Sequence, residues 1–220
     1  MAAQADLRDA LRDWLGPALR ARGFKGSAPT WSLTNDRGDV AFINVQSSTS
    51  STKEQVRCIV NYSVAPEPWV RFGRWRSNGR DGRSGLYWDR IDAPGGEPGR
   101  ERWWNVSDPV SAREFVGDVL VELDAWGWEL FDRLMTPTGM LETVRAGDLG
   151  HAKRVNGFDA RFAEAEAVIL MSEGPSDHLE RLLEVSVASS NPAAQENARG
   201  RADWIREQAH EAAAQIDPKT

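Results

Sequence analysis

The chain holds one cysteine, three histidines, two tyrosines and four lysines in 220 residues. A lone cysteine, Cys58, excludes an internal disulfide framework and suits a reducing compartment. His151, His178 and His210 stand far apart, and none has a cysteine or second histidine at metal-ligand spacing. There is no run of about 18 apolar residues, so no membrane span is expected. The opening MAAQADLRDALRDWL lacks a basic n-region and an apolar h-region, which argues against a signal peptide. The expectation is a soluble cytoplasmic protein.

Catalytic patterns are missing too. Asn78-Gly79-Arg80-Asp81-Gly82-Arg83-Ser84-Gly85 spaces its glycines regularly but has no Gly-Lys-Ser/Thr ending, so it is not a P-loop. Asp89 and Asp92 flank Arg90 as surface ion pairs do. Cys58 falls on the apolar side of an alternating run, where a thiol acts as a small hydrophobe. No nucleophile, base and orienting group can be assembled. No catalytic, cofactor-binding or metal residue is assigned, and no cofactor is implied.

Forty per cent of residues are apolar, enough for a real core. The net charge of −6 hides an asymmetry. Residues 1–106 carry 16 Lys and Arg against 12 Asp and Glu, whereas residues 107–220 carry 11 against 21. The acidic half keeps the protein soluble and would favour a basic partner over nucleic acid or an anionic membrane.

Ala5 to Arg22 carries Leu7, Leu11, Trp14, Leu15, Ala18 and Leu19 on one helical stripe. Gly23 and Phe24 form a glycine stop with a hydrophobic latch, and Pro17 predicts that the helix kinks or divides after Trp14. Thr30 to Val64 then reads as three antiparallel strands. Trp31 and Leu33 alternate with polar neighbours, and Asn35 to Asp39 supplies a turn. Val40 to Ser47 puts Ala41, Ile43 and Val45 on one face and Asn44 and Gln46 on the other. Val56 to Val64 puts Cys58, Val60 and Tyr62 opposite Arg57, Ile59 and Asn61.

Residues 66–106 are broken by proline and glycine into loops, with strands expected at 86–91 and 101–106. Ser111 to Glu114 has the form of a capping box, with Val110 and Phe115 as its staple. A long helix follows to Leu134, and Gly127 within it is a weak point of about 1 kcal/mol relative to alanine. Beyond Thr136 the pattern is helical throughout: 137–145, 159–171, 176–188, and a last helix capped by Asn191-Pro192. The expected class is α+β: an antiparallel sheet covered by an N-terminal helix and a long central helix, with an all-helical C-terminal extension. The expected domains are 5–135 for the sheet and 136–217 for the extension.

Seven of ten tryptophans fall between 69 and 128, and eight arginines lie in the irregular region. Each buried tryptophan contributes about 4–6 kcal/mol gross, from roughly 150–250 Å² of area. Trp and Arg also dominate interface hot spots. The candidate binding surface is therefore Asn44, Gln46, Asn61, Trp75, Trp88, Arg90, Trp103 and Trp104. Residues 66–106 have a net charge of only +2, a thin footprint for phosphate binding.

LRDWLGPALRARGFKGSAPTWSLTNDRGDVAFINVQSS, VRCIVNYSV and Trp88-Asp89-Arg90-Ile91 resemble the bacterial domain of unknown function 4304 family. The matching features are Gly23-Phe24-Lys25, Trp31, Gln46 and Asn61, and the resemblance covers about residues 5–135. It implies a cytoplasmic bacterial α+β domain without an assigned activity. If the shared polar residues serve one purpose, Gln46, Asn61 and Arg90 are the first to test.

The leading expectation is a non-enzymatic protein-interaction module with an unidentified protein partner; an antitoxin or immunity role is one concrete form. Two alternatives stand beside it. One is single-stranded nucleic-acid binding through the Trp/Arg-rich region 69–104. The other is small-molecule binding, or an enzyme with a cleft on the polar face of the sheet.

Overall fold

The computed structural model describes residues 2–77, 85–95, 102–153 and 159–216. Helix α1 (Ala2–Ala10) passes through a π-turn (Leu11–Leu15) into α2 (Gly16–Ala21). Strands β1 (Lys25–Ser27), β2 (Thr30–Thr34), β3 (Val40–Ser47) and β4 (Val56–Ala65) follow, then helix α3 (Glu67–Arg76). Next come β5 (Tyr87–Ile91), β6 (Trp104–Val106) and α4 (Pro109–Glu122), which runs through a second π-turn (Leu123–Gly127) into α5 (Trp128–Leu134). Helix α6 (Pro137–Arg145), the short strands β7 (Asp148–Leu149) and β8 (Ala152–Lys153), α7 (Asp159–Leu170), α8 (Asp177–Ala188) and α9 (Gln195–Ile216) complete the chain. Among the described residues no helix is long and apolar enough to cross a membrane.

The chain divides into two compact units: Met1–Val64 with Trp88–Arg133, and Ala65–Tyr87 with Leu134–Thr220. The first is the antiparallel sheet with its helices. Its strand order is β1-β2-β3-β4-β5, and β6 also pairs with β4. Trp31 opposes Ile43 and Leu33 opposes Ala41, so the alternating apolar residues meet on one face. Helices cover that face: Phe131 lies edge-on to Phe24 and Tyr62, each at 5.8 Å, and Trp126 meets Tyr62 at 5.6 Å. The N-terminal helix stops where the glycine predicts. Gly23 has φ 88°, Phe24 N–H bonds Leu19 O at 3.1 Å, and Gly23 N–H bonds Arg20 O at 3.0 Å.

The first helix is interrupted next to its proline. Gly16 N–H reaches back five residues to Leu11 O, and Pro17 is the second residue of the next helical segment. The widened turn accommodates a residue without an N–H and shifts the phase of the stripe. Leu7, Leu11, Leu15 and Leu19 are buried, while Trp14, expected inward, is 52% exposed. The long central helix repeats the device, with Trp128 N–H bonded to Leu123 O across the second π-turn.

Three further expectations are corrected. Residues 67–76 are helix rather than loop: Pro66 precedes the helix with extended backbone and Pro68 sits in its first turn, as proline favours. The cap of α4 is Asp108, with Ser111 as the third helical residue. Ser111 N–H donates to Asp108 Oδ1 at 2.8 Å and Asp108 N–H donates to Ser111 Oγ at 3.1 Å. Val110 is 65% exposed and forms no staple.

The second unit is mainly helical among its described residues, and the β7–β8 hairpin among them differs from the all-helical tail expected. Its α3 segment lies within the expected 5–135 domain but belongs here. The reason is aromatic: Phe72 packs on Trp204 at 5.6 Å and Trp75 stacks on it at 5.0 Å. Helix α7 is buried from Phe162 to Leu170, including Glu164 and Glu166. Both carboxylates are paired, Glu164 with Arg201, and Glu166 with Arg145 at 2.8 Å and His178 at 3.0 Å. Unpaired, they would be costly at such depth.

Candidate functional site: the second face of the sheet

Alternation leaves the sheet of the first unit a second face, away from Tyr62 and Ile43. Gln46 on β3, Asn61 on β4 and Arg90 on β5 point to it, and the structure joins them. Asn61 Nδ2 donates to Gln46 Oε1 at 3.0 Å, and Arg90 Nε donates to Asn61 Oδ1 at 3.0 Å. Three strands thus contribute one continuous polar chain. Gln46 is exposed, and Asn61 and Arg90 are half-buried.

Aromatic rings flank this chain. Trp88 is two residues before Arg90 on the same strand face, and the guanidinium carbon lies 5.9 Å from its ring centre. The β4–β6 register sets Arg57 opposite Asn105 and Cys58 opposite Trp104. Trp103 therefore lies on the side of Arg57, whose guanidinium carbon is 5.9 Å from the Trp103 ring centre. Two arginine–tryptophan pairs on one face, each with half-buried indole, combine apolar area with directional hydrogen bonding.

The remaining candidates separate. Asn44 shares the face, but its Nδ2 donates to Thr30 Oγ1 at 2.8 Å and braces the strand pair. Trp104 points the other way. It is 7% exposed, edge-on to Phe115 at 5.1 Å, and its indole donates to Asp118 at 3.0 Å. Trp103, just before β6, lies by Arg57, whereas Trp104 on β6 is core rather than surface. Trp75 belongs to the second unit, where it stacks on Trp204. The Trp/Arg-rich stretch is therefore split between units. Arg80, Arg83 and Arg100 lie outside the described residues. Arg57 joins the face through β-strand alternation.

Cys58 is in the core, and burial pushes its thiol up to about 12. A thiol so disfavoured as thiolate is a poor nucleophile. Among the described residues no three His, Cys, Asp or Glu side chains are grouped to hold a metal ion. The geometry offers amide, guanidinium and indole groups on one face, and the Arg90 backbone N–H donates to the Asp89 carboxylate at 2.9 Å.

Residues 15–133 match the family model described as Domain of unknown function (DUF4304). Neither the curated proteins nor the solved structures contain a match to the chain.

Proposed function

The chain belongs to the DUF4304 family, whose model spans more than half of its length, and from that premise we propose that it is a protein-interaction module of the bacterial cytoplasm. In this reading the second face of the sheet is the docking surface. The carrying observation is the Gln46–Asn61–Arg90 hydrogen-bond chain beside Trp88. A central amide that accepts from Arg90 and donates to Gln46 holds both partners in place before any ligand arrives. Such preorganisation lowers the entropic cost of association.

Trp88 and Trp103 supply area, and Arg57 and Gln46, both exposed, supply polar contacts at the rim. The partner these groups suit is a peptide segment carrying carboxylates and an aromatic or aliphatic anchor. A compartment with reduced thiols suits a chain whose one cysteine is buried and unpaired.

Affinity purification from the native host tests the reading, with the intact chain and the Trp88→Ala/Arg90→Ala variant as paired baits. The expected result is a discrete protein recovered with the intact chain and depleted with the variant, both baits being folded. Equal recovery by both would remove this face from the function.

A further inference from the structure

We propose that Arg76 and Arg161, in the second unit, form a binding site for a phosphate group, either free or as a small monoester. This site is independent of the sheet face. Arg76 ends α3 and Arg161 lies in the first turn of α7, two helices that pack together.

Three half-buried arginines of this unit have carboxylate partners: Arg206 with Glu180 at 2.9 Å, Arg201 with Glu164, and Arg71, whose buried Nε has no hydrogen-bond partner, with Glu67 at 3.9 Å. Arg161 is also half-buried and its buried Nε likewise has no hydrogen-bond partner, but unlike those three it has no ion pair among the described residues. Glu164, one turn further along α7, attracts it but is engaged by Arg201. Burial first, and then the neighbouring Arg76 charge, lower the proton affinity of Arg161. Arg76 itself lies over the Phe72 ring at 5.6 Å and has no carboxylate partner among the described residues.

A guanidinium with one stranded buried donor and a like charge acting on it is unfavourable in the free protein. An oxyanion reverses both terms. It provides acceptors for the stranded donor, and its charge offsets the repulsion. Phosphate fits better than a single carboxylate, because two guanidiniums call for a dianion and each fork matches paired oxygens. The Phe72 ring beneath Arg76 restricts that side chain and so helps to hold the pair ready.

The test is thermal unfolding of the full chain titrated with inorganic phosphate, and separately with methyl phosphate, against chloride at matched ionic strength. The expected result is a saturable rise of about 3–6 °C at roughly ten times the midpoint concentration. A lower midpoint for methyl phosphate identifies a monoester ligand, and a lower or equal one for inorganic phosphate identifies the free ion. Arg161→Met is expected to raise the melting temperature without phosphate and to abolish the response. Arg76→Gln, at an exposed position, is expected to raise the midpoint at least about fivefold, consistent with loss of one charged hydrogen-bonding group. Arg181→Gln, exposed on α8, should respond as the intact chain does. A response no larger than that to chloride, or one retained in Arg76→Gln and Arg161→Met, overturns the proposal.

Discussion

Arg90 donates to Asn61 across 3.0 Å, although the two are 29 residues apart in the chain. Asn61 passes the interaction on to Gln46, so that removing it strands groups on both neighbouring strands. Asn61→Ala is expected to cost about 1 kcal/mol, the net worth of a typical hydrogen bond plus part of the desolvation left behind. Urea unfolding of Asn61→Ala, Arg90→Ala and the double variant should give a coupling energy of about 0.5–1.5 kcal/mol. Strict additivity would mean that the pair carries no energy and preorganises nothing.

The two glycines of the long central helix should answer alanine in opposite ways. Gly117 is exposed, and a methyl group there meets nothing within 4 Å. Gly117→Ala should therefore stabilise by up to about 1 kcal/mol through helix propensity. At Gly127 the same methyl would lie 2.8 Å from Leu123 Cδ2, and Leu123 is fully buried in the π-turn. Gly127→Ala should lose about 1 kcal/mol or more by overpacking, despite the same propensity gain. Thermal melts of the two variants decide the matter, and a stabilised Gly127→Ala would contradict the described turn.

The buried thiol predicts alkaline behaviour. Cys58 is raised from 9.0 to about 12 in the folded chain. Above the unfolded value, the unfolded chain releases a proton that the folded chain keeps. Stability is thus intact below that value and declines as pH rises toward about 12. Cys58→Ala removes this one contribution, so its stability should fall less steeply across the window than that of the intact chain. A thiol reagent should also label the native protein only after unfolding. Rapid native labelling would place Cys58 at the surface.

Glu166 predicts the acid limb. Burial acts to raise its pKa, but hydrogen bonds from His178 and Arg145 outweigh burial and hold the carboxyl below its ordinary 4.5. Its stabilising contribution is present above that value and is lost as pH falls through the depressed one. Glu166→Gln should cost about 1–2 kcal/mol at neutral pH, because both partners are half exposed to water. The difference from the intact chain should shrink in acid. A difference that stays constant down to strongly acidic pH would show that charge is not the cause.

Local alternation made much of the sheet legible. β3 and β4 need only period-two patterning and polar turns, so Gln46 and Asn61 were assignable to one face without coordinates. The hydrogen bond from Arg90 to Asn61 was not, because it depends on which strand pairs with β4. Trp104 shows a signal left unused: in the strand expected at 101–106, one of Trp103 and Trp104 must turn inward. The α4 cap is similar, since Asp108 and Ser111 both have capping side chains and Pro109 decides between them by favouring the first helical position. Helix α3 was hidden for a physical reason. Its flanks are rich in proline, glycine and arginine, and its apolar side is covered by Trp204, far along the chain. The π-turns left no pattern to read, and they explain why Trp14 fell on the wrong side of its stripe.

The central claim is that the Gln46–Asn61–Arg90 face binds a protein. A photoreactive cross-linking residue placed at position 46 tests it most directly, with one at exposed Glu114 on α4 as the control. Irradiated in the native host, the position-46 protein should yield a discrete protein adduct that the control does not, and Trp88→Ala should abolish it. No adduct from position 46, or the same adducts from both positions, would contradict the assignment of this face as the docking surface.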